Sequence, residues 1–472
     1  MGLVIPPPPD QRTRTLFWVL VGAIGLLAAF QAHALATGPR ELDDPPPAED
    51  EQAEAPEQPA APNDDEEEDE DEPTPMNEHP VEIESLPAAA AHKVAKKDAA
   101  PAGIDLWRKA RLDGQGYAAA MKDGRAARLT IDPRLQRTID ALFKSYKPMA
   151  GSVVAMDPKT GRLLAMAEYS RDGKTLDLAT RPLYPAASVF KIITGAALLE
   201  KGVSPDAETC YHGGMRRMVA RLLQDRPRVD RRCLSLSMAL AKSTNVVFGK
   251  LAVRHLDAGE LRREAEKFLF NRPIWTQAGV EQSPAVIPEA VDKLEFAKSA
   301  AGFGRVRLSP MHAAVIASAV ANGGVAVEPT LLGGIEGEEL PAQPSQRLLA
   351  PETASRLRDM MKLTVSDGTA RSSFRERRRW VLGDIEVSGK TGSLADRRPY
   401  KDYSWFVGFA PADNPTIAVA AVVVNGRYWR IKAPYVAREA LRAYLVGGPR
   451  GDPPQPKARH KRHKRRWKNP RR

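Results

Sequence analysis

The chain predicts an α+β domain: a central antiparallel sheet flanked by helices, built from strands at both ends of the foldable region, with a helical subdomain inserted between them. Three observations carry that expectation. Strand-like apolar runs lie at Gly151–Met156 and Arg162–Ala167 early in the domain, and again at Ile385–Val387, Tyr403–Phe409 and Ile417–Val424 late in it. The early pair is joined by Asp157-Pro-Lys-Thr-Gly161, a hairpin signal. Between the two groups the apolar pattern is helical, and its segments stop at Gly and Asn.

Charge bounds that domain. The 472 residues carry a formal +11, unevenly spread. Glu41 to Glu78 holds eighteen Asp and Glu and no Lys or Arg, whereas Gln455 to Arg472 holds ten Lys and Arg and no acid. Neither block can bury apolar surface. Residues 37–124 therefore read as an acidic, Pro/Ala-rich disordered linker, 448–472 as a basic disordered tail, and 125–447 as one large domain. Upstream, residues 1–15 carry Arg12 and Arg14 ahead of the apolar stretch 16–36. That order reads as a cytoplasmic N-terminus and a single transmembrane anchor, with the bulk of the chain outside. Ala32-His33-Ala34 and Ala34-Leu35-Ala36 also suit signal-peptide cleavage, so an exported soluble form is the alternative.

In either case the cysteines meet an oxidising compartment. Cys210 and Cys233 are twenty-three residues apart with no third thiol to compete. A disulfide closing that loop would stabilise the fold by roughly 3 kcal/mol by constraining the unfolded chain; two separate buried thiols are the alternative. Eight scattered His and two Cys offer no metal-ligand spacing, so no metal is expected, and no motif implies a cofactor. The composition excludes a disulfide scaffold and a multi-span membrane protein. Export argues against nucleic acid as partner of the basic tail, leaving anionic envelope polymers or simple solvation.

Taken in order, Arg128–Phe143 reads as a short strand entering a helix, with Asp132 as N-cap and Pro133 at the first helical position. Helices are expected over Ser188–Lys201, ended by Gly202, and over Leu234–Leu251 and Leu256–Phe268. Pro310–Ala321 should stop at Asn322-Gly323-Gly324, and Pro351–Thr364 near Gly368. Pro434–Leu445 closes the domain as a helix.

The chemistry centres on Ser188-Val189-Phe190-Lys191, which is the only Ser-x-x-Lys in the chain. An offset of three on a helix brings both side chains to one face. A lysine whose pKa is lowered by burial can take the hydroxyl proton and make a nucleophile without histidine. The positive end of the helix suits a developing oxyanion. Taken alone, the pattern is equally a helix cap beside an exposed lysine. Two further groups follow it: Ser243-Thr244-Asn245, the only Ser-x-Asn, and Lys390-Thr391-Gly392-Ser393 after a short strand. A hydroxyl, a carboxamide and an ammonium cover the proton relay, amide hydrogen bonds and carboxylate anchor that acyl transfer needs. Lys159-Thr160-Gly161 repeats the last motif, but it sits in the predicted hairpin and reads as turn chemistry.

The order Ser-x-x-Lys, Ser-x-Asn, Lys-Thr-Gly resembles that of the penicillin-recognising serine acyl-transferases. Tyr184 to Glu200 is similar to the nucleophile helix of penicillin-binding protein transpeptidase domains. Thr130 to Gln136, Val153 to Met166, Gly302-Phe-Gly304 through Gly324, Gly368-Thr-Ala370 and Trp405 to Pro411 resemble further blocks in family order. The resemblance covers about 125 to 446. It implies the penicillin-binding/β-lactamase-like transpeptidase fold and a monofunctional, membrane-bound D,D-transpeptidase acting on peptidoglycan stem peptides and acylated by β-lactams. It implies Ser188 as nucleophile, Lys191 as base, Ser243 as proton relay and Asn245 as holder of the substrate amide. Lys390, Thr391, Gly392 and Ser393 would bind the terminal carboxylate, with the N–H groups of Ser188 and Ser393 as oxyanion hole. Other cell-wall synthesis proteins are implied partners.

Three departures stand out: Ala186-Ala187 replaces the usual Pro-Gly, Phe303 sits where Gln is common, and Ser393 replaces the commoner Thr. The stretch before the domain is expected to be too short for a glycosyltransferase domain. A D,D-carboxypeptidase uses the same site with water as acceptor, and a non-catalytic β-lactam sensor or wall-binding protein is a further alternative. A β-lactamase lacks its Glu-x-x-Leu-Asn here.

Overall fold

The computed structural model describes residues 103–173, 177–274, 280–288, 292–336, 338 and 340–447. The apolar stretch 16–36, the acidic run and the basic tail lie outside the described residues. Among the described residues no helix is long and apolar enough to cross a membrane.

The domain begins earlier than its charge pattern suggests, which corrects the linker boundary at 124. Helix Gly103–Lys109 and the hairpin strands Arg111–Asp113 and Gly116–Ala120 are ordered. They fold because Gly116–Ala120 pairs with Ala126–Leu129, which pairs in turn with the distant strand Leu332–Ile335. Leu106, Ala119, Ala127, Leu129 and Ile335 form a small core of their own there. The partner strand lies far downstream, so the local composition gives no hint of it.

The central sheet has five antiparallel strands: β1 (Ala150–Met156), β2 (Leu163–Ser170), β3 (Ser388–Arg397), β4 (Tyr400–Ala410) and β5 (Ile417–Asn425), in spatial order β3-β4-β5-β1-β2. Its strands come from both ends of the domain, as expected. On β5 the residues Ala418, Ala420 and Val422 face one core, and Ile417, Val419, Ala421 and Val423 face the other. A strand buried on both faces reads as an unbroken apolar run because its period of two is hidden. Helix Pro310–Ala321 covers the first face, and Pro133–Tyr146 and Ala433–Leu445 the second. Asp132 caps Pro133–Tyr146 by accepting from Arg134 N at 2.8 Å and Leu135 N at 2.9 Å.

Two boundaries differ from expectation. The long helix over Leu234–Leu251 is two helices, Leu236–Ala241 and Asn245–His255, broken where Ser243 takes a left-handed φ of 58°. The expected strand Ile385–Val387 is a lead-in: β3 starts at Ser388, and Lys390 to Ser393 lie inside it. Lys159-Thr160-Gly161 is the β1–β2 turn, where the Asp157 carboxylate accepts from the N–H groups of Lys159 and Thr160. Lys159 Nζ donates to Asn414 Oδ1, away from the chemistry.

Candidate active site

Ser188 sits on a 3₁₀ turn, Ala187–Phe190, that runs directly into helix Lys191–Glu200. The expected helix start is therefore tighter than an α-turn. The two side chains still meet. Ala187 adopts a φ of 47°, the conformation a glycine takes without cost and an alanine holds at roughly 1–2 kcal/mol.

Neighbouring elements hold that turn in place. Trp405 of β4 donates its indole N–H to Pro185 O at 2.9 Å, and Ala186 N donates to Val306 O at 3.0 Å. Gly302 lies behind it with φ 92°, and a Cβ there would stand 1.8 Å from Ala187 O. The first glycine of Gly-Phe-Gly is thus dictated by the turn that carries Ser188. Gly392 of β3 plays a similar part, since a side chain there would crowd Val189 and Trp405.

The Lys191 amine is fully buried and donates three hydrogen bonds: to Ser188 Oγ at 2.8 Å, Asn245 Oδ1 at 2.7 Å and Ala301 O at 3.0 Å. Burial, and then the charge of Lys390, hold its pKa well below the usual lysine range. The partner set fixes what the neutral amine does. Its two N–H groups belong to Asn245 Oδ1 and Ala301 O, which can only accept, so its lone pair is left for the Ser188 hydroxyl proton. Asn245 is itself held from outside the helix, with its N–H donating to Met215 O at 2.9 Å and its Nδ2 to Arg216 O at 2.6 Å.

A second chain of contacts runs beside the first. Lys390 on β3 is fully buried and donates to Ser243 Oγ at 3.0 Å and Thr391 O at 2.9 Å. Burial pushes its pKa down to about 7. The hydroxyls of Thr391 and Thr369 are hydrogen-bonded, and Thr369 N and Oγ1 both donate to Ala241 O. Ser393 is exposed on the same strand.

The structure thus brings together Ser188, Lys191 and Asn245 in one bonded group, and Ser243, Lys390 and Thr391 in another. Residues missed by sequence reasoning are Thr369 and the carbonyls of Met215, Arg216 and Ala301. Gly368-Thr-Ala370 stood out in the sequence, but its hydroxyl carried no assigned part. Backbone carbonyls leave no signal in a sequence. Cys210 and Cys233 are cross-strand partners joined by a disulfide. This combination of fold and site, a serine bonded to a buried lysine at a helix start beside an edge strand carrying a second buried lysine, is of the class of the serine acyl-transferases.

Residues 151–442 match the family described as the penicillin binding protein transpeptidase domain, and the chain belongs to that family. It is 28% identical over 338 residues to the peptidoglycan D,D-transpeptidase PbpA of Mycobacterium tuberculosis, covering 63% of this chain and 67% of that protein. Among solved structures, the imipenem acyl-enzyme complex of penicillin-binding protein A from M. tuberculosis superposes with a TM-score of 0.57 at 26% identity, covering 68% of this chain and 80% of that one. The D,D-transpeptidase domain of a peptidoglycan glycosyltransferase from Eggerthella lenta gives 0.58 at 26% identity, covering 71% and 89%.

Proposed function

We propose that this chain is a peptidoglycan D,D-transpeptidase that works through an acyl-enzyme on Ser188 and is acylated there by β-lactams. The observation that carries the reading is the buried Lys191 amine, 2.8 Å from Ser188 Oγ with its other donors committed. Ser188 Oγ attacks the penultimate D-Ala carbonyl as its proton passes to Lys191. The N–H groups of Ser188 and Ser393 bind the oxyanion. The C–N bond then breaks, and the proton held by Lys191 reaches the leaving D-Ala amine through Ser243. An amine from a second stem peptide attacks the ester, returns a proton along the same path and restores the Ser188 hydroxyl. Lys390, Thr391 and Ser393 hold the terminal carboxylate, Gly392 lets β3 lie close to the nucleophile turn, and Asn245 holds the substrate amide.

The catalytic domain acts outside the cytoplasmic membrane, with 16–36 as its single anchor; the Cys210–Cys233 disulfide supports an oxidising compartment. Mass spectrometry after exposure to a fluorescent penicillin tests the reading. A penicilloyl adduct mapping to Ser188, absent from Ser188→Ala, is expected, and labelling that survives the substitution overturns it. With a peptide ending in D-Ala-D-Ala and an added amine acceptor, a cross-linked product separates transpeptidation from hydrolysis.

A further inference from the structure

The segment from Tyr211 to Arg232, closed at its base by the Cys210–Cys233 disulfide, carries seven arginines against two aspartates. Both aspartates are already paired. Asp230 accepts from the buried Lys250 at 2.8 Å and from Arg226 N at 2.8 Å, and pairs with His212. Asp225 pairs with Arg254 and with Lys250.

The apolar residues of the segment turn inward. Met218 packs with Ala297 and Ala301, and Leu222 joins the main core. Leu223 and Met218 press against Gly249, where an added Cβ would meet them at 2.9 and 3.0 Å. Arg217, Arg221, Arg226, Arg228, Arg231 and Arg232 are left exposed, and their guanidinium groups have no carboxylate partner among the described residues. This is a fixed cationic surface, held by a disulfide, a buried ion pair and apolar packing. It is also wired to the site, because Met215 O and Arg216 O are the groups that hold Asn245.

We propose that this arginine loop is the docking surface for the carboxylate-bearing stem peptides of the acceptor strand, holding them beside the acyl-enzyme. The inference rests on the transpeptidase reading and adds where the second substrate binds. Aminolysis must outrun hydrolysis by water, which favours a site that concentrates the amine-bearing strand. Such a strand presents carboxylates at repeated intervals, and the planar guanidinium fork matches a carboxylate in bidentate fashion. A loop already ordered loses little freedom on binding, and several contacts along one polymer reinforce each other.

The test uses the full chain acylated with benzylpenicillin, so that the catalytic cleft is filled, and soluble uncross-linked peptidoglycan strands with free stem-peptide carboxylates. At low salt the wild type should bind these strands at least tenfold more tightly than R217Q/R221Q/R226Q/R228Q. It should also prefer them, by a similar factor, over strands whose carboxylates are converted to methylamides, and should lose that preference as salt rises. The rate of penicilloylation reports that the quadruple variant is folded. In turnover, its ratio of cross-linked to hydrolysed product should fall. Equal binding by the two proteins, or an unchanged product ratio, overturns the proposal while leaving Ser188 acylation standing. Tighter binding to polyphosphate than to the carboxylate strands overturns the choice of partner. Absence of any penicilloyl adduct would instead count against the transpeptidase reading itself.

Discussion

Replacing Asn245 by alanine removes one acceptor from the Lys191 amine while leaving the nucleophile and the lysine in place. The lost contact is a 2.7 Å hydrogen bond between a buried amide oxygen and an amine that is charged for part of the cycle. Hydrogen bonds to charged groups contribute roughly 1.5–3 kcal/mol. If that energy acts in the transition state, acylation slows by roughly ten- to 150-fold, at about 1.4 kcal/mol per factor of ten. Stopped-flow fluorescence with a labelled penicillin measures the second-order acylation constant. Arg216 O also loses its 2.6 Å donor, so the variant should lose about 1–3 kcal/mol of stability. Rates must therefore be compared at a temperature where both proteins are folded.

Asn245→Asp is the informative companion. It keeps an oxygen in place but sets a negative charge against Lys191, favouring the ammonium and raising a pKa that the wild type holds low. The base must be neutral to act, so the rate rises with pH through the Lys191 pKa, and this limb should move to higher pH in the variant. Asn245→Ala acylating at the wild-type rate, or an Asp variant whose limb stays put, would refute the account of Lys191 as an oriented base.

Other expectations follow from the same contacts. Lys390, its pKa lowered to about 7 by burial, is charged below that pH, so acylation by a carboxylate-bearing penicillin should decline as pH rises through it; the corresponding methyl ester should lack that decline. Gly302→Ala puts a Cβ 1.8 Å from Ala187 O and should lower both thermal stability and the acylation constant at least tenfold, measured by calorimetry and penicillin labelling. Cys210→Ala with Cys233→Ala should cost about 3 kcal/mol in denaturant unfolding, as expected for a loop with a separation of 23 residues. Lys159→Ala should acylate normally, because that lysine contacts Asn414 and not the site.

Much of the site was legible because its side chains keep fixed local spacing. Ser188 and Lys191 are three residues apart, and a 3₁₀ turn followed by an α-helix leaves them in contact just as an α-helix does. Ser243 and Asn245 flank a helix break, which a capping pattern alone cannot tell from a continuous helix when the surrounding residues, Leu236 to Leu251, are almost all apolar or small. What was not legible depends on tertiary proximity. Thr369 meets Thr391 only because helix Pro351–Ser366 packs along β3 and delivers Gly368 against Ala241 O, where a Cβ would stand 2.3 Å away. Helix Gly103–Lys109 and its hairpin were hidden because they follow a long acidic, Pro/Ala-rich stretch and pair with Ala126–Leu129, whose own second partner is the distant strand Leu332–Ile335.

The two buried lysines show why geometry assigns roles that residue type cannot. Both are wholly removed from water, and burial lowers both pKa values. Lys191 has three acceptors, one of them Ser188 Oγ, so losing one proton leaves a lone pair in a defined direction. Lys390 has two, Ser243 Oγ and Thr391 O, which leaves its ammonium one donor for a substrate carboxylate. The charge of Lys390 in turn lowers the Lys191 pKa. A carboxylate bound to Lys390 would neutralise that charge and shift Lys191 back toward the protonated form. The acylation rate of the bound complex should therefore have its acidic limb at higher pH than that of the free enzyme. Comparing the pH dependence of the rate at saturating penicillin with that of the second-order constant measures the difference, and coincident acidic limbs would show that the two lysines act independently.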